Sequence, residues 1–153
     1  MALPTSVSDL TAHLGYWLRF VSNHVSQAFA RKVEARGVTV AEWVLMRQLL
    51  EVDALAPSRL AERMGMTRGA VTKLADRLIA KSLLVRAADP DDGRAQTLSL
   101  TPAGRALVPE LAALADVNDA EFFDHLTPED REALLRILRS IVERRGLKSL
   151  PVE

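Results

Sequence analysis

The chain contains no cysteine, which excludes disulfides, thiolate catalysis and thiol-based redox sensing by its own residues. It has no long uncharged apolar run, so no stretch reads as a membrane span. The opening residues MALPTSVSDL lack a basic stretch followed by an apolar one, so no secretory leader is expected and the expected location is the cytoplasm. The three histidines, His13, His24 and His125, are far apart in sequence. No glycine-rich phosphate loop, nucleophile elbow or metal-ligand spacing accompanies them. Neither enzymatic chemistry nor a cofactor is expected. Net charge is lacking too, with 20 Lys and Arg against 20 Asp and Glu.

That balance hides a segregation. Between Leu55 and Ala88 there are seven bases (Arg59, Arg63, Arg68, Lys73, Arg77, Lys81, Arg86) and two acids, Glu62 and Asp76. Between Glu110 and Glu132 there are eight acids and one base, Arg131. A basic centre offset by an acidic segment attracts phosphates on one face while the whole protein remains neutral. At 153 residues, nearly half of them apolar, the chain suffices for one domain or a compact pair of lobes.

Helical spacing of Leu10, Leu14, Trp17, Leu18, Val21, Val25, Ala28 and Phe29 predicts a first helix over Val7 to Arg36, stopped by Gly37. Tyr16 and Phe20 lie nearer its other side, so contacts on two sides are expected. Thr39-Val40-Ala41-Glu42 is a capping box that opens a second helix to about Val52. Residues 53–56 read as a connector. Pro57 suits the first turn of a short third helix to Met64, ended by Gly65. Thr67 caps a fourth helix to about Ser82. Strands are expected over Leu83 to Ala88 and Ala95 to Leu100, joined by the turn Asp89-Pro90-Asp91-Asp92-Gly93. Thr101-Pro102 starts a fifth helix to about Leu126, with a bend or broken bond expected at Pro109. Thr127 caps a sixth that ends near Gly146, with a stripe of Leu134, Leu135, Ile137, Leu138, Ile141 and Val142. The fold class is therefore mainly α with a small β-hairpin.

The stretch from Pro57 to Thr101 carries the functional signal. A helix-turn-helix needs a small residue where its helices cross, a turn residue free of β-carbon strain, and apolar plugs on the second helix. Ala61, Gly65, Val71 and Leu74 meet those needs at the right spacing. The outward face of the fourth helix is then short, polar and basic, which suits a helix lying in a DNA major groove. Arg68, Gly69, Thr72 and Lys73 fall on its N-terminal half, within reach of base edges. Thr67 and the helix N-terminus favour a phosphate. Arg77 and Lys81 are expected at phosphates. On the hairpin, Arg94 is expected in a narrow minor groove, its guanidinium held extended by Asp92. A winged-helix adaptor that docks protein without binding DNA is the alternative.

These residues resemble the MarR family of winged-helix regulators along nearly the whole chain. The resemblance rests on LAERMGMTRGAVTKLADRLIAKSLLVR and DPDDGRAQTLSLTPAGRAL, above all on the wing Asp-x-Arg of Asp92 and Arg94 and the Leu-Thr-Pro-x-Gly that follows. Gly93 stands where the family usually has a longer residue. Ser82 stands where a glycine normally ends the recognition helix, so a different backbone angle is expected at that turn. The resemblance implies a winged helix-turn-helix domain over residues 37–101 and a helical dimerisation region from both chain ends, residues 1–36 and 102–153. It implies a homodimer on a pseudo-palindromic operator in double-stranded DNA, usually as a repressor. It also implies a small effector, often an anionic aromatic compound, bound between frame and winged domain. His13, Tyr16, Trp17, Phe20, Trp43 and Arg47 are the candidates for that cavity. Arg47, a base expected among apolar neighbours, seeks a carboxylate from protein or ligand.

Overall fold

The computed structural model describes residues 6–148. Six helices and a two-stranded antiparallel hairpin follow in the order α1 (Leu14–Glu34), α2 (Val40–Gln48), α3 (Pro57–Met64), α4 (Arg68–Ala80), β1 (Leu84–Ala88), β2 (Gln96–Leu100), α5 (Pro102–Phe123) and α6 (Pro128–Arg145). The helix starts are where local chemistry sets them. The hydroxyls of Thr39, Thr67, Thr101 and Thr127 accept the backbone N–H of Glu42, Ala70, Gly104 and Asp130 at 3.0–3.1 Å. Each satisfies a donor that the first helical turn leaves without a partner. At Thr39 the capping box closes, its N–H donating to Glu42 Oε1.

Some ends differ from expectation. α1 begins at Leu14 rather than Val7, behind a short 3₁₀ turn at Leu10–Ala12. The Trp17 indole N–H donates to the Thr11 carbonyl at 2.9 Å and folds that turn back onto the helix. α2 stops at Gln48, short of Val52. There the Arg105 guanidinium from α5 donates to the carbonyls of Leu50 (3.0 Å) and Val52 (3.1 Å), which draws them out of a helical pattern. The connector after α2 also adds a one-residue third strand to the hairpin. Leu55 and Leu98 exchange backbone hydrogen bonds of 3.0 and 2.8 Å. α5 runs unbroken through Pro109, which has no N–H to offer the Arg105 carbonyl.

One core holds these parts. Leu45, Met46 and Leu49 of α2, Leu60 of α3, Val71, Ala75 and Leu78 of α4, and Leu84 and Leu98 of the hairpin are all buried. Val33 of α1 and Val108 and Leu111 of α5 join the same cluster, and each large side chain so buried contributes roughly 1.5–3 kcal/mol. α1 packs along α5 through an inner polar contact. Asn118 is buried, donates to the Val25 carbonyl (3.1 Å) and accepts from Lys32 (2.9 Å), which also pairs with Glu121. Elsewhere the two chain ends leave apolar surface uncovered within the protomer. The expected stripe of α1 is buried only towards its C-terminal end, with Leu14, Trp17, Leu18 and Val21 all exposed, and Phe20 on its other side is exposed too. α6 has no buried residue among those described, and every side chain of its apolar stripe is exposed.

Candidate nucleic-acid interface

α3 and α4 meet through a turn of three residues. Gly65 caps α3 with φ 64° and ψ 32°, a left-handed conformation that costs a β-carbon-bearing residue about 1–2 kcal/mol. The Met66 N–H then donates to the Ala61 carbonyl at 3.0 Å. Ala61, Val71 and Leu74 are buried at the crossing, as the sequence pattern requires. With Val71, Leu74, Ala75 and Leu78 turned inward, α4 leaves Arg68, Gly69, Thr72, Lys73, Asp76 and Arg77 exposed on one face.

The hairpin lies beside that face. Its register runs from Leu84 opposite Leu100 to Ala88 opposite Gln96. Arg86 of β1 reaches across to Asp76 of α4 at 2.8 Å, fixing wing to helix. Between them lies a cleft of about 490 Å³, lined in part by Arg68, Thr72, Asp76, Arg86 and Arg94. The structure thus brings Arg68, Thr72 and Arg94 to one opening, while Gly69, Lys73 and Arg77 continue the exposed face beyond it. Among the described residues, none of the ion pairs involves Arg68, Lys73, Arg77 or Arg94. Four cations on one side therefore stand without internal counter-charge, and such a surface attracts polyanions.

Three details depart from the sequence reading. The Asp92 carboxylate does not hold the Arg94 guanidinium; it accepts the Arg94 backbone N–H at 3.1 Å. Two residues away, the amide is the nearest donor, and an Asx turn forms first. Asp89 does the same for the Asp91 N–H at 2.9 Å, so two of the tip acids shape the turn. Lys81 is not free for a phosphate. Its Nζ lies 2.7 and 3.0 Å from the two oxygens of Glu42, a pairing across 39 positions that no local pattern announces. Ser82 adopts φ 60°, so the turn keeps the left-handed angle a glycine would take. The Leu83 N–H donates to the Leu78 carbonyl at 3.0 Å, as in a glycine-ended helix. Ser82→Gly is expected to raise stability by about 0.5–1 kcal/mol, relief of the left-handed strain exceeding the entropy glycine adds to the unfolded chain. A urea midpoint that stays put or falls would show that the serine is unstrained.

The effector candidates do not converge within the protomer. Tyr16, Trp17 and Phe20 form a run of ring contacts on α1 at centroid distances of 5.4–6.4 Å, and His13 sits exposed at the start of that helix. Trp43 packs edge-on against Phe29 at 6.5 Å. Arg47 is not among apolar neighbours. It is 45% exposed, pairs with Glu51 at 3.5 Å, and shares a separate depression with Arg63.

A glycine-turned helix pair, a polar second helix and an adjoining hairpin extended by the Leu55 bridge define a winged helix-turn-helix protein. Comparison with known proteins narrows this. Residues 36–95 match the model of the MarR family. The transcriptional repressor MdtR of Bacillus subtilis is 30% identical, the match covering 82% of this chain and 81% of the relative. A probable transcriptional regulator of Pseudomonas aeruginosa superposes with a TM-score of 0.76 at 28% identity, over 87% of this chain and 99% of the other. BpsR of Bordetella bronchiseptica, whose DNA binding is regulated by 6-hydroxynicotinic acid, superposes with a TM-score of 0.76 at 26% identity, over 89% and 97%. The chain belongs to the MarR family of winged-helix transcriptional regulators. Among the described residues no helix is long and apolar enough to cross a membrane.

Proposed function

We propose that the protein acts in the cytoplasm as a homodimeric, ligand-responsive repressor of a pseudo-palindromic operator, without enzymatic activity. The observation that carries DNA binding is the unpaired cationic face: Arg68, Lys73 and Arg77 on α4, with Arg94 on the wing beside them. α4 enters the major groove. Arg68 and Lys73 meet guanine acceptors, Gly69 lets the backbone approach, and Arg77 meets a phosphate. The Thr72 hydroxyl already donates to the Arg68 carbonyl at 3.0 Å. Its single proton is thus engaged, which favours a methyl contact with thymine over donation to phosphate. Thr67 and the α4 N-terminus face a phosphate. Arg94 enters the minor groove, and Asp92 serves it by shaping the backbone of the turn. Residues 37–101 form the winged domain, and both chain ends form the frame that spaces two such domains one DNA turn apart.

The small-molecule response is supported by the regulation of BpsR by an anionic aromatic acid. The aromatic run on α1 together with Trp43 offers ring surfaces for such a compound once two protomers enclose them. The effector acts by favouring a wing spacing that does not match the groove repeat.

The test is Arg94→Ala against a duplex selected from random DNA. Affinity is expected to fall about tenfold or more, by roughly 1–3 kcal/mol per lost contact, with the melting temperature unchanged. The slope of log affinity against log salt should flatten by about 0.9 for each phosphate neutralised by the lost arginine. Wild-type affinity in that variant removes the wing from the interface, and salt-independent binding of protein partners in place of DNA would favour an adaptor.

A further inference from the structure

Glu42 is 1% exposed, yet it is a carboxylate on the second helix, away from the groove-facing side of α4. Its partners explain its burial. Oε1 accepts the Thr39 N–H at 3.3 Å and closes the capping box. Both oxygens accept from Lys81 Nζ, at 3.0 and 2.7 Å. Lys81 is the residue that ends α4. The pair therefore ties the first turn of α2, where the helix dipole favours a carboxylate, to the last turn of α4, where it favours a cation.

We propose that Glu42 is a positioning residue for DNA recognition, which through Lys81 fixes the C-terminal end of α4 against α2 and so sets the depth and tilt at which α4 meets the duplex. This rests on the DNA-binding reading above. The N-terminal end of α4 is held from inside the helix-turn-helix, by the Thr67 cap and the Gly65 turn. The Glu42 link reaches outside that unit. It is stiff at its α2 end, because the carboxylate is locked by the cap and Leu45, Met46 and Leu49 behind it are fully buried. Trp43, next in sequence, packs on Phe29 of α1. A shift of α1 is therefore felt at the turn that holds Lys81. The link engages the cation nearest the end of α4 internally, leaving Arg68, Lys73 and Arg77 for the duplex.

The experiment measures binding of full-length protein to a duplex selected from random DNA and to a random duplex, over a range of salt. The variants are Glu42→Gln, Lys81→Met, the pair combined, and Lys81→Arg. Glutamine keeps an acceptor for the Thr39 N–H, whereas Lys81→Met leaves the buried Glu42 carboxylate without its cation and costs stability. Folding of each variant is therefore checked by circular dichroism, and the combined variant, which removes both charges, supplies the form in which no buried charge is left unpaired. Each single variant is expected to weaken selected-duplex binding about tenfold, equivalent to roughly 1.4 kcal/mol. Random-duplex binding and the salt slope should stay as in wild type. The combined variant should be no weaker than Lys81→Met alone, and Lys81→Arg should restore affinity. The proposal is overturned if Lys81→Met lowers the slope by about 0.9 per subunit while Glu42→Gln binds normally, since Lys81 then contacts phosphate. It is equally overturned if losses are the same on both duplexes or add in the combined variant. Failure of wild type to bind any duplex removes the DNA-binding reading itself and this proposal with it.

Discussion

Gly104→Ala is expected to lower the melting temperature by about 10 °C, the loss of about 3 kcal/mol in a chain of this size. Gly104 is buried in the first turn of α5, where a glycine-to-alanine change normally helps a helix by up to about 1 kcal/mol. Here a β-carbon would collide with the Leu83 carbonyl oxygen and sit 3.2 Å from Leu100 Cδ2. The obstacle is backbone, so no rotamer relieves it. That backbone is pinned in turn: the Thr101 N–H donates to the Leu83 carbonyl at 3.1 Å, and the Thr101 hydroxyl donates to the Ser82 carbonyl at 2.8 Å. Moving α5 away to admit a methyl group would break bonds worth about 1 kcal/mol each at the point where the chain leaves α4. Gly69→Ala is the control. A β-carbon there meets nothing within 4 Å, so stability should rise slightly while DNA binding weakens, because the added methyl group stands on the face that α4 offers to the groove. Thermal melts of both variants decide the matter. A Gly104→Ala protein that melts with wild type would mean that α5 is free to shift.

The same junction shows what the sequence makes legible and what it hides. Four helix starts are readable because a cap is a bond across three residues: Thr39, Thr67, Thr101 and Thr127 all cap as their local spelling indicates, whereas α1, which has no side-chain cap, starts at Leu14 and not at the expected Val7. Gly65 was readable because a left-handed turn has a residue preference of its own. The inward stripe of α4 followed from helical period, and the cationic outward face followed by subtraction. What was not readable depends on partners far along the chain. Lys81 looks like any surface base until α2 brings Glu42 beneath it. The end of α2 is decided by Arg105, more than fifty positions away in sequence from the carbonyls it takes. Leu55 becomes part of the hairpin because Leu98 lies opposite it. The clash that makes Gly104 necessary comes from the Leu83 backbone. Ser82 misled for a different reason: residue type gives a preference for backbone angle, and here tertiary bonds on both sides overrode it. The apolar stripes of α1 and α6 were legible as stripes, but nothing in their spacing distinguishes a face covered by the same chain from one left open.

That open face carries the second large expectation. Ile141→Glu is expected to convert the protein to a monomer at micromolar concentration and to abolish operator binding. Leu134, Ile137, Leu138 and Ile141 lie on one side of α6, with exposures of 37–48%. The link from α6 to the rest of its chain among the described ion pairs is Arg131 to Asp119. A helix with so little internal support is marginal in water unless its apolar face is covered, and the exposed face of α1, with Trp17, Leu18 and Val21, offers matching surface. A second copy supplies both faces at once, because in a two-fold dimer each patch meets its counterpart. Ile141 is 43% exposed in the protomer, so covering it contributes roughly half of the 1.5–3 kcal/mol of a full burial, and a carboxylate forced into that position adds a desolvation cost of several kcal/mol. The substitution is present in both subunits. The dimer therefore weakens by at least about 5 kcal/mol, more than a thousandfold in dissociation constant. Operator binding falls with it, since a lone winged domain gains one half-site and loses the benefit of a tethered second one. Sedimentation velocity reads the assembly state, and circular dichroism reads whether α6 frays in the monomer. Because the core around Leu45, Leu78 and Leu98 is untouched, the winged domain should stay folded and retain weak, strongly salt-dependent DNA binding. A variant that sediments as a dimer and holds the operator as wild type does would place the subunit contact on some other surface.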